Sequence, residues 1–124
     1  MMKFLCLGYL SPEKMDARPQ AEIDSIMLEC PPHLENLYQT GQVLLDAGLA
    51  AETTVLRRVA GRLMVTDGPY TETKEILGSA FLIQARDMAD AVRVASLHPT
   101  TQVPAGEALG WRLEIRPVHY FKDK

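Results

Sequence analysis

Six residues near the C-terminal end, Trp111-Arg112-Leu113-Glu114-Ile115-Arg116, alternate strictly between apolar and charged. A strand sends successive side chains to opposite faces, so this segment calls for a sheet with one covered face and one polar face. Trp111, Leu113 and Ile115 are expected to meet a layer of helices; Arg112, Glu114 and Arg116 point away from it. The first segment adds a second condition. Lys3 to Leu10 is apolar on both alternations, as in a central strand covered on both sides. A sheet containing both strands therefore has a second face that is too apolar to stay bare in water, and a second copy of the chain is the economical cover.

The helical layer is legible from Gln20 to Gly41. Ile23, Ile26/Met27, Cys30, Leu34, Leu37 and Gly41 follow one another in steps of three and four, a single helical face. Pro31 and Pro32 interrupt it, and a proline inside a helix costs ~3 kcal/mol. Because the face stays in phase, the expectation is two nearly collinear helical pieces, or one kinked helix. The prolines start the second piece and Gly41 caps its end. A second helix is expected from Met88 to Leu97, with Asp87 as N-cap and Met88, Ala91, Val92 and Ala95 facing inward. His98-Pro99 stops it.

Between these helices, Asp46-Ala47-Gly48 reads as a turn into a strand over Leu49 to Val59. Ala60-Gly61 reads as a hairpin turn, and Arg62 to Thr66 as the returning strand. Ser79 to Ala85 is a further strand and Trp111 to Val118 the last. Glu13 to Pro19 and Thr100 to Gly110 read as loops, the former with one helical turn. The fold class is α+β: a ferredoxin-like split βαβ pattern with an added hairpin strand, its helices on one face of an antiparallel sheet.

The length of 124 residues suits one domain spanning 1–124. A net charge of −3 argues against a nucleic-acid surface, and Arg57, Arg58 and Arg62 read as a solvated edge. Cys6 and Cys30 lack a CxxC partner or a zinc-ligand spacing, so both read as buried thiols in a reducing compartment. No signal-peptide pattern and no membrane-spanning run occurs, and the expected location is the cytoplasm with no membrane partner.

The most unusual local chemistry lies between Val65 and Asp87. Asp67-Gly68-Pro69 is a turn-former, followed by Thr71, Glu72, Thr73, Lys74 and Glu75. Asp67 is expected to accept backbone hydrogen bonds that fix this turn. The run DGPYTETKEILGSAFLIQARD resembles the DGPF branch of the YCII-related proteins, with Tyr70 where that branch usually has Phe. KFLCLGYL is similar to the family's first strand, and HPTTQVPAGEALGWRLEIRPVHYF to its HP…GE-x-LGW…E-[VI]-RP tail. The resemblance implies a homodimer joined through its sheets, a dimeric α/β barrel enclosing a shared cavity. In that arrangement Arg112, Glu114 and Arg116 line a pocket with Asp67 and Tyr70 at its rim, or else form only interfacial salt bridges.

Of the histidines, His33 lies where other YCII-related proteins carry a proposed catalytic His, and four residues after Glu29. Two such ligands without a third make no metal site. His98 matches the family's HP step, and its expected duty is to cap the negative end of the preceding helix. His119 reads as surface. With no nucleophile elbow, phosphate loop, dinucleotide fingerprint or zinc spacing, no cofactor or metal is expected. Three readings follow. One is a cofactor-independent acid–base enzyme in which Asp67 or His33 moves a proton and Arg116 with Arg112 holds a small anionic molecule. The others are a ligand-binding or regulatory protein, linked through the DGPF branch to sigma-factor control, and a structural dimer module.

Overall fold

The structure is a computed structural model that describes residues 1–68 and 74–124. Its elements in chain order are β1 (Met2–Leu10), α1 (Pro12–Asp16), α2 (Gln20–Met27), α3 (Cys30–Tyr38), β2 (Val43–Gly48), β3 (Thr53–Val59) and β4 (Arg62–Gly68). They continue with β5 (Ile76–Ala85), α4 (Met88–Ala95), α5 (Pro99–Gln102), α6 (Ala105–Leu109) and β6 (Arg112–Pro117). Four strands form an antiparallel sheet in the order β2-β5-β1-β6, the ferredoxin-like arrangement, while β3 and β4 pair only with each other. The four-stranded sheet is open, with β2 and β6 as its edges.

The register explains the core. On the helix side Phe4 and Cys6 of β1 lie beside Ile83 and Phe81 of β5, and Ile115 lies opposite Cys6. With Leu37 of α3 and Ala91, Val94 and Ala95 of α4 they form the main buried cluster, against which Leu113 and Ile115 pack. The alternation in the last strand thus does what the sequence requires. A second cluster joins Ile23 and Ile26 of α2 to Val103 and Leu109, with Met15, Cys30 and Trp111 packed on it. The face from Ile23 to Leu37 holds across the prolines, because α2 ends at Met27 and Pro31 and Pro32 fall in the first turn of α3, where a missing N–H is harmless. Gly41, with φ +71°, donates its N–H to the Tyr38 carbonyl and ends that helix.

Four expectations need correction. Val43–Gly48 is a sheet strand rather than the approach to a turn: β2 pairs along β5 from Val43↔Ile83 to Gly48↔Ser79, and this ladder outweighs the turn preference of Asp46-Ala47-Gly48. The strand expected over Leu49 to Val59 begins at Thr53 and belongs to the separate hairpin. Thr100 to Gly110 is helical in large part, with Pro99 opening α5 and Gly110 at φ +75° closing α6. On α4 the buried stripe is Asp90, Ala91, Val94 and Ala95, while Met88 and Val92 are exposed. The helix is rotated because Asp90, 5% exposed, accepts hydrogen bonds from the Arg86 backbone, Arg93 and Gln42. Asp87 caps α4 as expected, accepting from the Asp90 backbone N–H at 2.8 Å.

Candidate functional site

The helix side of the sheet is filled at one end and hollow at the other. Where Phe81 and Cys6 lie side by side the space is occupied. Two residues along, the same face carries the row Gly48–Ser79–Gly8 across β2, β5 and β1. Small residues in strand interiors leave room above the sheet. A Cβ on Gly8 would lie 2.2 Å from Ser79 Oγ, so any other residue there would force the serine hydroxyl aside. Above this floor lies a cavity of about 250 Å³. Its apolar walls include Met27 and Leu34 from α2 and α3, Met15, Pro99 and Trp111, and its polar wall groups include Asp46, His98 and Cys30. Among the described residues neither Lys nor Arg lines it.

His98 is the most constrained polar group there. It is 6% exposed and its ring stacks on Phe81, with centroids 4.6 Å apart and planes 4° from parallel. Its Nδ1 accepts the Thr100 backbone N–H at 3.1 Å. A nitrogen that accepts carries no proton, so the neutral ring holds its proton on Nε2. No buried side-chain nitrogen or oxygen among the described residues lacks a partner, and Nε2 has none. Nε2 is therefore reachable from the cavity that His98 lines. Burial pushes the imidazole down to about 4, against a smaller opposing pull from the Asp46 charge. His98 thus caps the start of α5 as a neutral acceptor, in place of the expected protonated cap on the preceding helix. Burial decides this, since a charged ring would lose its hydration.

Asp46 is the register partner of Phe81 and projects on the same face, beside the ring that carries His98. The Tyr38 hydroxyl donates to Asp46 Oδ2, and this bond pushes the Tyr38 phenol up to about 12. Oδ1 has no partner among the described residues. Asp46 is exposed and so in contact with water. The cavity thus combines a carboxylate and an imidazole, held from different elements, over a floor of Gly8, Gly48 and Ser79. Cys30 in its wall is pushed up by burial and by Glu29, which keeps it a thiol. Cys6, pushed up to about 12 by burial, is an inert core thiol.

The residues singled out from sequence are dispersed. Arg112, Glu114 and Arg116 sit on the open face, paired with Tyr9, Leu7 and Leu5 of β1. Arg112 is engaged: it donates to Glu75 through Nε at 2.7 Å and Nη2 at 3.0 Å, to Glu114 at 2.9 Å, and lies over the Tyr9 ring at 4.4 Å. These bonds hold Glu75 and Glu114 below the usual carboxylate range and raise Arg112. Arg116 is exposed and makes no hydrogen bond among the described residues.

His33 is half-buried on α3, on the helix-covered side, so the sheet separates it from the arginines. Asp67 lies on the outer hairpin. It stands opposite Thr54 within β4, exposed and without the expected backbone hydrogen bonds, because the strand continues through Gly68. Tyr70 lies outside the described residues, as does Pro69 of the expected Asp67-Gly68-Pro69 turn. No group of three or more His, Cys, Asp or Glu among the described residues is placed to hold a metal. Asp46 and the inward role of His98 escaped the sequence reading. Their signal was the recurrence of glycine inside strand-like segments, Gly8, Gly48 and Gly78, which marks a hollow in a sheet.

The family model of the YCII-related domain matches residues 2–111, from β1 to the residue before β6. The chain belongs to the YCII-related family. This match contains every wall residue of the cavity named above. No curated protein matches the sequence. No helix among the described residues is long and apolar enough to cross a membrane.

Proposed function

We propose that this YCII-related chain is a cofactor-independent protein that binds a small organic molecule in the helix-side cavity and moves a proton on it. The carrying observation is the buried His98 ring, whose Nδ1 is committed to Thr100 and whose Nε2 is accessible in a cavity shared with Asp46. A neutral imidazole whose only available nitrogen is already protonated is a hydrogen-bond donor, and the base is then Asp46 through Oδ1. At about 250 Å³ the cavity lies just below the usual range for ligand pockets and suits a small molecule. With Asp46 in the wall and no lysine or arginine there, a neutral ligand is favoured over the anion expected from Arg112 and Arg116.

The DGPF-branch assignment rests on the run DGPYTETKE, and the proposed setting is a cytoplasmic homodimer of single-domain chains. The sheets would join through the open face, where Leu45, the already buried Leu82 and Leu5 form one row and Ala47, Ala80 and Leu7 the next. Arg112, Glu114 and Arg116 then edge that interface. Histidine-directed ¹⁵N NMR tests the cavity reading. At pH 7 the His98 signals are expected to report a proton on Nε2 alone, and that resonance should shift when 4-fluoroacetophenone is added. A doubly protonated ring at pH 7, or a resonance unmoved by small neutral, cationic and anionic aromatic probes alike, overturns it.

A further inference from the structure

Resting on the cavity reading, we infer the class of its substrate: an uncharged carbonyl compound with an acidic C–H bond beside the carbonyl, which the site deprotonates and reprotonates at carbon. Two groups of opposite hydrogen-bonding sense converge on one space. His98 Nε2–H only donates, because Nδ1 is held by the Thr100 N–H at 3.1 Å. Asp46 Oδ1 only accepts, because Tyr38 occupies Oδ2. The rest of the wall is largely apolar, with Leu34, Met27, Pro99 and Trp111, and adds the hydroxyl-bearing Ser79, Thr100 and Tyr9 and the Cys30 thiol.

A carbonyl oxygen satisfies the His98 Nε2–H donor, and the apolar part of the wall takes the body of the molecule. A carboxylate or phosphate would meet Asp46 with no cation in the wall, and an ammonium would leave Nε2–H opposed by a donor. What Oδ1 can then take up is a proton of the substrate, next to the carbonyl that Nε2–H polarises. A neutral imidazole is suited to this part, because it stabilises developing charge on oxygen without giving its proton up. That neutrality also follows from the burial of His98, which holds the ring unprotonated at pH 7.

The step balances without a further reactant. Asp46 Oδ1 takes the proton from the carbon next to the carbonyl, the C–H pair becomes the new C=C bond, and the C=O π pair moves onto the oxygen held by Nε2–H. Asp46, exposed to water, exchanges its proton and returns one to the same carbon or to the far end of a conjugated system. The first outcome is exchange with solvent; the second is isomerisation.

4-Fluoroacetophenone in D₂O reads binding through its ¹⁹F signal and proton transfer through deuterium in its methyl group. Wild-type protein is expected to broaden the ¹⁹F signal and to deuterate the methyl group above the buffer rate. Asp46→Asn should keep the broadening and lose about 10²-fold or more of the exchange. His98→Phe, which keeps a ring beside Phe81, should also lose exchange, and Arg116→Met on the opposite face should change neither readout. Binding without exchange overturns the substrate class and leaves the cavity as a binding site. Binding of 4-fluorobenzoate or 4-fluorobenzylammonium in preference to the ketone also overturns the class. If none of the three binds, both the class and the cavity reading fall.

Discussion

His98 shows how burial turns one residue type to a specific use. Its neighbours hold it near 4, against 6.5 for a free imidazole, with burial as the main cause. The unfolded chain takes up a proton below pH 6.5 while the folded chain does not until about 4, so stability is complete above 6.5 and falls as pH drops through that window. The loss attributable to this group is on the order of 3 kcal/mol. Urea unfolding at pH 7.5 and 4.5 is expected to show a pH-dependent loss larger by that amount in wild-type protein than in His98→Phe. At the hairpin tip Ala60 adopts φ +51°, a left-handed conformation that strains an L side chain. Ala60→Gly should therefore gain about 1 kcal/mol in the same measurement, provided strand pairing on either side is kept. Sequence placed this turn well, because Ala60-Gly61 acts locally. It did not show that Asp67 and Gly68 belong to β4, because whether an Asp-Gly pair continues a strand depends on the partner opposite, here Thr54 and Thr53.

Elements were legible where their pattern is periodic and their caps are local. The phase from Ile23 to Leu37 and the Asp87 cap needed no knowledge of the rest of the chain. β2 was lost because its evidence is non-local: Asp46, Ala47 and Gly48 become strand by pairing with Phe81, Ala80 and Ser79. Losing β2 concealed the site, since it carries Asp46 and part of the cavity floor. The short helices α5 and α6 were missed for a related reason, being shaped by what they pack on. Gly106 of α6 lies against the Trp111 ring, and a Cβ there would meet Trp111 Cε3 at 2.8 Å and the Thr100 carbonyl at 3.2 Å. Gly106→Ala is thus expected to destabilise the fold by about 1–3 kcal/mol, readable as a lowered urea midpoint with an unchanged m-value.

The molecule divides its duties between the two sides of one sheet. The helix side holds the core and the hollow beside it, while the open side shows a leucine and alanine field bordered by the Arg112–Glu75–Glu114 network. Leu45, 51% exposed on the edge strand, belongs to that field, so Leu45→Glu should leave the folded chain intact and abolish the proposed dimer. Light scattering across a dilution series checks this, with a dimer expected for wild-type protein and a monomer for the variant. The central claim is that the ligand site lies on the helix side, and Gly48 offers a clean probe of it. A Cβ at Gly48 meets nothing within 4 Å, and the residue lines the cavity, so Gly48→Leu can fill the hollow without a clash at Cβ. The deciding measurement is ¹⁹F binding of 4-fluoroacetophenone to folded Gly48→Leu and Arg116→Met side by side. The expected result is binding lost in Gly48→Leu and kept in Arg116→Met; binding kept in the first and lost in the second would contradict the account.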